Sequence, residues 1–353
     1  MDTRLTNYQV LEGWLNYLQE IAEPLVGTQK DKMLKLVEGQ GLLQRERYYL
    51  LECPLQGEAG IDFSLAYKTE DFLGTRDYTG NTGFRFARFF SLYANIVGPN
   101  KDAGLEFDTS DSRDLHAAVF VDMHHEQSEL LLQKALAWQA ETRRTPIMKS
   151  LLTKGKAMGL EPAYLGFMYS RLNSPLRLTF CIPQEILRLP DRYDEFAYFV
   201  QNLEIAKQSD VVQQALAMGK KQIHPLFTSN IMLQDLTAFA DMDFVDCVLD
   251  IDIMPDGRIG DTFGIEIKLA AHTLEQQRKM LNSKEFAEFM QLLEEWNVVD
   301  RRTKCFKNCV FYAELPQALG HQEYLISMLS HFKLRYCHNK RLPAKVYLQG
   351  NRG

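Results

Sequence analysis

The sequence predicts an α+β protein in which about ten antiparallel strands close into a barrel around a central lumen, ringed by helices. Three observations lead there. First, five stretches, Gly60–Tyr67, Phe84–Phe90, Leu176–Pro183, Phe263–Leu269 and Pro343–Leu348, alternate apolar residues with charged, hydroxylic or phenolic ones. Successive strand side chains point to opposite faces, so each stretch sends its polar members to one side of a sheet. Second, strand pairs followed by helical segments recur along the chain. Third, no linker-like or low-complexity stretch interrupts the series, which reads as one domain over residues 1–353 with N-terminal helices at about 8–43. A sheet closed on itself, with helices outside, buries the strands and the helical stripes together and removes exposed edges.

Taken in order, Tyr8 to Leu43 carries apolar residues at helical spacing, with Leu11, Trp14, Leu15 and Leu18 on one face, and reads as two helices. The period then changes. Arg47–Pro54 and Gly60–Tyr67 read as strands parted by a Gly-containing turn, followed by strands at Phe84–Tyr93, Leu105–Phe107 and His116–Met123. Glu126–Thr142 reads as a helix, with Leu131, Ala135 and Trp138 marking its apolar side. A second pair, Tyr164–Tyr169 and Leu176–Pro183, turns around Asn173-Ser174-Pro175 and precedes helices from Arg192 to Met218. The third, Cys247–Ile253 and Phe263–Leu269, turns at Pro255-Asp256-Gly257 before a helix at Leu274–Trp296. The last set reads as a strand at Asn308–Leu315, a helix at Glu323–Leu329, and a hairpin of His331–Tyr336 with Ala344–Leu348.

With 353 residues, 46% hydrophobic, the chain can bury a large core. A net charge of −6 argues against a nucleic-acid binder that works by phosphate neutralisation, so any anion site must be local. No apolar run reaches the ~18 residues of a membrane span. The first residues lack the layout of a secretory signal, and a cytoplasmic protein is expected. Six scattered cysteines read as reduced thiols.

The alternating stretches set their polar residues out in a consistent way. Ile61–Leu65 shows Asp62 and Ser64, Leu176–Phe180 shows Arg177 and Thr179, and Ala344–Leu348 shows Lys345 and Tyr347. An amphipathic sheet with a solvated outer face has the same pattern. If the polar face is enclosed instead, its cations, phenols and early carboxylate suit a diphosphate ligand with a base beside it. P-loop, Rossmann and Gly-x-Ser-x-Gly patterns are absent. Asp250 and Asp252 alternate onto one strand face and, with Asp256, form a weak candidate for Mg²⁺ against a diphosphate or a nucleotide-sugar.

Several of these segments resemble the ABBA-fold aromatic prenyltransferases of the dimethylallyl-tryptophan synthase type. Gly60-Ile61-Asp62-Phe63-Ser64-Leu65 is similar to the early strand that carries the family's glutamate and serine, with Asp62 at the base position. Gly83-Phe84-Arg85-Phe86 resembles the next strand, with its diphosphate-binding arginine, and Leu176-Arg177-Leu178-Thr179-Phe180 the Lys-x-Tyr strand with both polar residues changed. Phe263-Gly264-Ile265-Glu266-Ile267-Lys268 departs from the family's Arg-x-Lys strand by placing glycine and glutamate where positive charge stands. Val310-Phe311-Tyr312 and the span from Ser330-His331-Phe332-Lys333 to Leu348 resemble the closing strands.

The resemblance implies a ten-strand PT barrel that moves a dimethylallyl or geranyl group from its diphosphate to an aromatic small molecule or a peptide side chain, in natural-product biosynthesis. Asp62 is the implied catalytic base. Its alternative role is capping a backbone amide beside a turn. Arg85, Arg177, Lys268, Tyr312, Lys345 and Tyr347 are the implied diphosphate donors, with Ser64, Thr179, Glu266, Lys333 and Arg335 as substrate contacts. No cofactor is required on this reading, and Mg²⁺ remains open. The competing reading is a non-catalytic barrel that binds a peptide or small molecule, supported by Gly264 and Glu266.

Overall fold

Eleven strands follow one another as β1 (Tyr48–Pro54), β2 (Asp62–Lys68), β3 (Asp102–Phe107), β4 (Ala118–Asp122), β5 (Glu161–Phe167), β6 (Leu176–Ile182), β7 (Val245–Ile253), β8 (Ile259–Leu269), β9 (Phe311–Glu314), β10 (Tyr324–Cys337) and β11 (Lys340–Arg352). Antiparallel pairing runs unbroken from β1 to β8, from β8 to β10 and from β10 to β11, and β11 pairs back onto β1 from Tyr48↔Asn351 to Pro54↔Lys345. The ring of ten is therefore closed. The eleventh strand, β9, pairs with the first residues of β10, beyond the stretch that β8 uses. The structure, a computed structural model, describes residues 7–27, 30–39, 48–57, 60–68, 93–98, 101–108, 117–124, 127–138, 143–169, 171, 173–207, 230–240, 242, 245–315 and 323–352.

Alternation decides which face is which. Leu51, Phe63, Leu165, Leu178, Phe180, Ile251, Ile265, Ile267, Leu334 and Leu348 point outward and are buried under the helices. Those helices are α1 (Asn7–Val26), α2 (Lys30–Gly39), α3 (Ser128–Trp138), α4 (Thr145–Ala157), α5 (Gln184–Arg188), α6 (Pro190–Lys207), α7 (Ile231–Phe239), α8 (Leu274–Leu281) and α9 (Lys284–Glu295). At roughly 1.5–3 kcal/mol for each large apolar side chain withdrawn from water, this shell between strand and helix is the main source of stability. Trp14 of α1 is fully buried in it, and its indole N–H donates to Ser327 Oγ of β10 at 3.0 Å. No described helix is long and apolar enough to cross a membrane.

The expected fold class is the observed one, with local differences that have physical causes. The segment Glu323–Leu329, expected to be helical, is instead the first half of the 14-residue strand β10. Leu325, Ser327 and Leu329 are buried on one side, while Ile326 and Met328 line the lumen on the other. With both faces enclosed, period two is invisible in the sequence and the Leu325/Leu329 spacing imitates a helix. The expected helix Leu274–Trp296 is two helices, because the Ser283 hydroxyl accepts from Phe286 N and starts α9 afresh. Helices α4 and α7 were not anticipated, although the buried positions Met148, Leu151, Leu152 and Gly155 have helical spacing. Of the expected strand Phe84–Tyr93, residues 84–92 lie outside the described residues, and Tyr93 opens a helical turn over 93–97.

Two irregularities aim side chains at the lumen. The β10–β11 register shifts between Leu329/His331, so that a bulge at Ser330 turns His331, Lys333 and Arg335 onto the face that Ile326 and Met328 occupy above it. A second shift, between Pro162 and Leu165 in β5, brings Tyr164 inward. Thr179 holds that bulge, since its Oγ1 accepts from Tyr164 N at 2.7 Å and donates to Tyr164 O at 3.2 Å.

Candidate active site in the barrel lumen

The lumen contains a cavity of about 790 Å³, within the range of small-molecule sites. Leu50, Ala66, Phe120, Ile326, Met328 and Leu274 give it apolar walls, and Tyr48, Ser64, Tyr164, Thr179, Glu266, Lys268, His331 and Tyr347 add polar groups. Phe120 can lie across it because Gly166 on the neighbouring strand has no side chain; a Cβ there would sit 2.7 Å from the Phe120 ring.

Charged residues gather at the end where β1, β3, β7 and β10 run down and β6, β8 and β11 start upward. Arg177 Nε and Nη2 donate to the two carboxylate oxygens of Asp252 at 2.8 and 3.0 Å. Lys333 Nζ contacts Asp250 and lies 3.2 Å from Glu266 Oε1. Lys345 and the Tyr347 hydroxyl both donate to Glu52. Arg171 reaches Glu106 at 3.3 Å and Asp108 at 3.6 Å. Gly264 belongs to this arrangement, because the Asp250 carboxylate fills the space beside it, 2.8 Å from where a Cβ would lie.

Burial and neighbouring charge push these groups apart in acidity. Burial raises Glu52, but Lys345 and then Lys333 overcome it and hold Glu52 at about 2. Glu266 is likewise at about 2, burial being outweighed by Lys333, His331 and Lys268. Asp250 goes the other way, raised by burial more than Lys333 can offset, with Glu266 adding repulsion. Glu106 is raised to about 7, by burial first and then by the negative charge of Glu52. Burial lowers His331 to about 4, which keeps it neutral at physiological pH, its ring stacked 3.9 Å from that of Tyr347. Lys268 Nζ lies 5.2 Å from the centre of the Tyr164 ring, within cation–π range, and has no ion pair among the described residues.

Of the residues expected at the site, Ser64, Arg177, Thr179, Glu266, Lys268, Lys333 and Tyr347 line this cavity. Arg335 shares the face of Lys333, is half-buried, and is lowered by burial and by Arg171 and Arg177. Lys345 lies behind the cavity on Glu52. Asp62 shares the face of Ser64 and pairs across the strands with Glu52, without lining the cavity. Tyr312 is 47% exposed on β9, with its ring against Tyr324. Arg85 lies outside the described residues. Asp250, Asp252 and Asp256 each face a cation (Lys333, Arg177 and Arg258), and no cluster of three metal-ligating side chains occurs among the described residues. The sequence reading missed Glu52 and Glu106. Both occupy alternate positions of strands that were recognised, Glu52 in Leu51-Glu52-Cys53 and Glu106 in Leu105-Glu106-Phe107, and that alternation was the available signal.

Ten antiparallel strands in a closed ring, with helices outside and a cavity inside, settle the architecture. This is an ABBA-type barrel. No family model and no curated protein matches the chain. Among solved structures, the ABBA-type barrel is similar to the apo form of the prenyltransferase PriB, at 10% identity over 99% of this chain and 96% of that one, with a TM-score of 0.49. It is also similar to 5-dimethylallyl tryptophan synthase from Streptomyces coelicolor in complex with DMASPP and Trp, at 10% identity over 98% and 94%, TM-score 0.46. A third similar structure is AnaPT from Neosartorya fischeri, at 10% identity over 96% and 90%, TM-score 0.49. What this lumen can do chemically must come from its own residues.

Proposed function

We propose that the lumen carries out prenyl transfer, moving a dimethylallyl or geranyl group from its diphosphate to an aromatic small molecule or a peptide side chain. The observation that carries the reading is a lumen cavity with largely apolar walls, lined by Arg177, Lys268 and Lys333 and by the buried carboxylate Glu106. In the reaction the bond from the allylic carbon to the diphosphate oxygen breaks, and the leaving group takes the electron pair. The acceptor supplies the electron pair of the new bond and gives up a proton. Fixed cations that face the leaving oxygens stabilise the growing negative charge, more strongly where water is excluded. The rings of Tyr48, Tyr164 and Tyr347 would flank the allylic cation and keep water from it. A leaving diphosphate drives the transfer, and no redox cofactor is called for.

Glu106 is the better-placed proton acceptor. It lines the cavity, and an acidity near neutral suits a general base, since about half of it is ionised at neutral pH and the ionised form is still basic. Asp62 pairs across from Glu52 on the same face and would act only if the acceptor extends below the cavity.

One observation favours a second reading, a barrel that binds a small molecule or peptide without turnover. Arg177, Lys333 and Lys345 already hold internal carboxylates, and Gly264 makes room for one of them. The test is to incubate purified protein with dimethylallyl and geranyl diphosphate against tryptophan and peptide panels, following products by mass spectrometry and donor binding by calorimetry. Products that disappear in Glu106→Gln with donor affinity retained support transfer, whereas acceptor binding with no product from any donor supports the second reading. Failure to bind any prenyl diphosphate removes the first.

A further inference from the structure

The two lumen-lining cations of the floor are already engaged by carboxylates. Arg177 and Lys333 face Asp250, Asp252 and Glu266, so two cations serve three carboxylates. The three are held differently. Asp252 takes two hydrogen bonds from Arg177, and Glu266 takes one from Lys333. Asp250 is 2% exposed, touches Lys333 and lies 3.8 Å from Arg177 Nη1, and neither of its oxygens accepts a well-directed hydrogen bond among the described residues. It is therefore the costliest of the three to keep charged.

Register explains how Asp250 reaches Lys333. On adjacent strands Asp250 pairs with Gly264 and Gly264 with Arg335, while Lys333 pairs with Glu266, one step further up the barrel. The contact between Lys333 and Asp250 is thus diagonal and crosses Gly264, whose absent side chain leaves the path open. Arg177 and Lys333 line the cavity and Asp250 does not, so the cations are open to the lumen on one side while Asp250 draws on them from the wall.

We infer that Asp250 is a built-in competitor for the anion-binding pair Arg177 and Lys333, so that a diphosphate group occupies this floor only by taking these cations from Asp250. The inference rests on the proposed function in locating the anionic part of the ligand here, and it adds that this chain sets its own donor affinity through one carboxylate. Without release, an incoming diphosphate would bring its charge beside three carboxylates that already share Arg177 and Lys333. Asp250 is the one among them whose departure leaves the hydrogen bonds of Asp252 and Glu266 in place.

The experiment is calorimetric titration of the full chain with inorganic pyrophosphate. Asp250→Asn keeps the shape of the side chain and removes its charge, and should bind pyrophosphate at least tenfold more tightly than the wild type. Gly264→Ala keeps Asp250 but places a Cβ 2.8 Å from its Oδ2, which forces the carboxylate aside, and should shift affinity in the same direction. This second variant carries the test if the first does not fold. Adding Lys333→Met to Asp250→Asn should remove the gain. Affinities equal within twofold for wild type, Asp250→Asn and Gly264→Ala overturn the inference, as does a gain that survives Lys333→Met or a lack of pyrophosphate binding in all of them. Product formation by the wild type is a separate readout, so prenyl transfer can stand while the inference falls.

Discussion

Replacing Glu106 with glutamine should remove a pH dependence of stability that the native carboxylate imposes on the barrel. Glu106 rises from its ordinary 4.5 to about 7 because it is buried and because Glu52 is charged nearby, with Arg171 and Arg177 pulling back and Asp108 adding repulsion. A carboxyl group whose folded value lies above its unfolded one binds its proton more tightly when folded. Its contribution is therefore fully present below about 4.5 and is lost as pH rises through about 7. The difference of about 2.5 units corresponds to about 3 kcal/mol at 1.36 kcal/mol per unit. Glutamine does not titrate. The stability of Glu106→Gln minus that of the wild type should accordingly rise by about 3 kcal/mol between about pH 4.5 and about pH 8. Any fixed cost of losing the Arg171 contact shifts the whole curve and leaves its slope unchanged. Urea denaturation across that range measures the difference, and curves that stay parallel within about 0.5 kcal/mol would refute a raised Glu106.

Lys333→Met should cost about 3–5 kcal/mol, because it strands Asp250 and Glu266 in the wall without their cation; adding Asp250→Asn should recover part of that loss in a denaturant-melt cycle. Gly166→Ala should destabilise by about 1–3 kcal/mol, since the new methyl meets the Phe120 ring at 2.7 Å; thermal melts alongside Phe120→Leu, which relieves the clash, provide the check. Trp14→Phe should cost about 1–3 kcal/mol, as it leaves the fully buried Ser327 hydroxyl without its indole partner, with a near-neutral Trp14→Phe/Ser327→Ala double variant. If prenyl transfer occurs, its kcat/KM should rise with pH through a midpoint near about 7 as Glu106 loses its proton, and an activity profile flat from about pH 5.5 to about pH 8.5 would count against that role.

Much of the fold was legible because one of the two strand faces is apolar and the other polar. In β6, β8 and β11 the alternation of Leu176, Leu178 and Phe180 with Arg177 and Thr179, or of Val346 and Leu348 with Lys345 and Tyr347, corresponds directly to helix-facing and lumen-facing positions. Where both faces are enclosed the signal fails, as at Leu325–Leu329, where Ile326 and Met328 meet an apolar part of the cavity. The site was legible in kind and less so in detail. Polar residues of the right types were found on the lumen face. Their pairing depends on neighbours brought from elsewhere in the chain, as Lys345 meets Glu52 across 293 positions and Lys333 meets Glu266 across 67. Glu52 and Glu106 were passed over because a single carboxylate in a short apolar strand carries no local mark of its partner.

The sequence by itself determined that alternating strands and helical stripes had to bury each other, since period two and period 3.6 are written into which residues are apolar. It also determined that cations, phenols and carboxylates would share one face of the sheet. Only the tertiary structure decided whether those cations stand ready for a ligand or are already held by carboxylates. The bulge at Ser330 turns His331, Lys333 and Arg335 inward, Gly264 opens a diagonal path to Asp250, and closure of β11 onto β1 delivers Lys345 and Tyr347 to Glu52. Burial then separates Glu106 near 7 from Glu52 near 2. The physical reason is that charge acts over a few ångströms through a poorly screened interior, and distances across a closed barrel do not exist until the ring is complete.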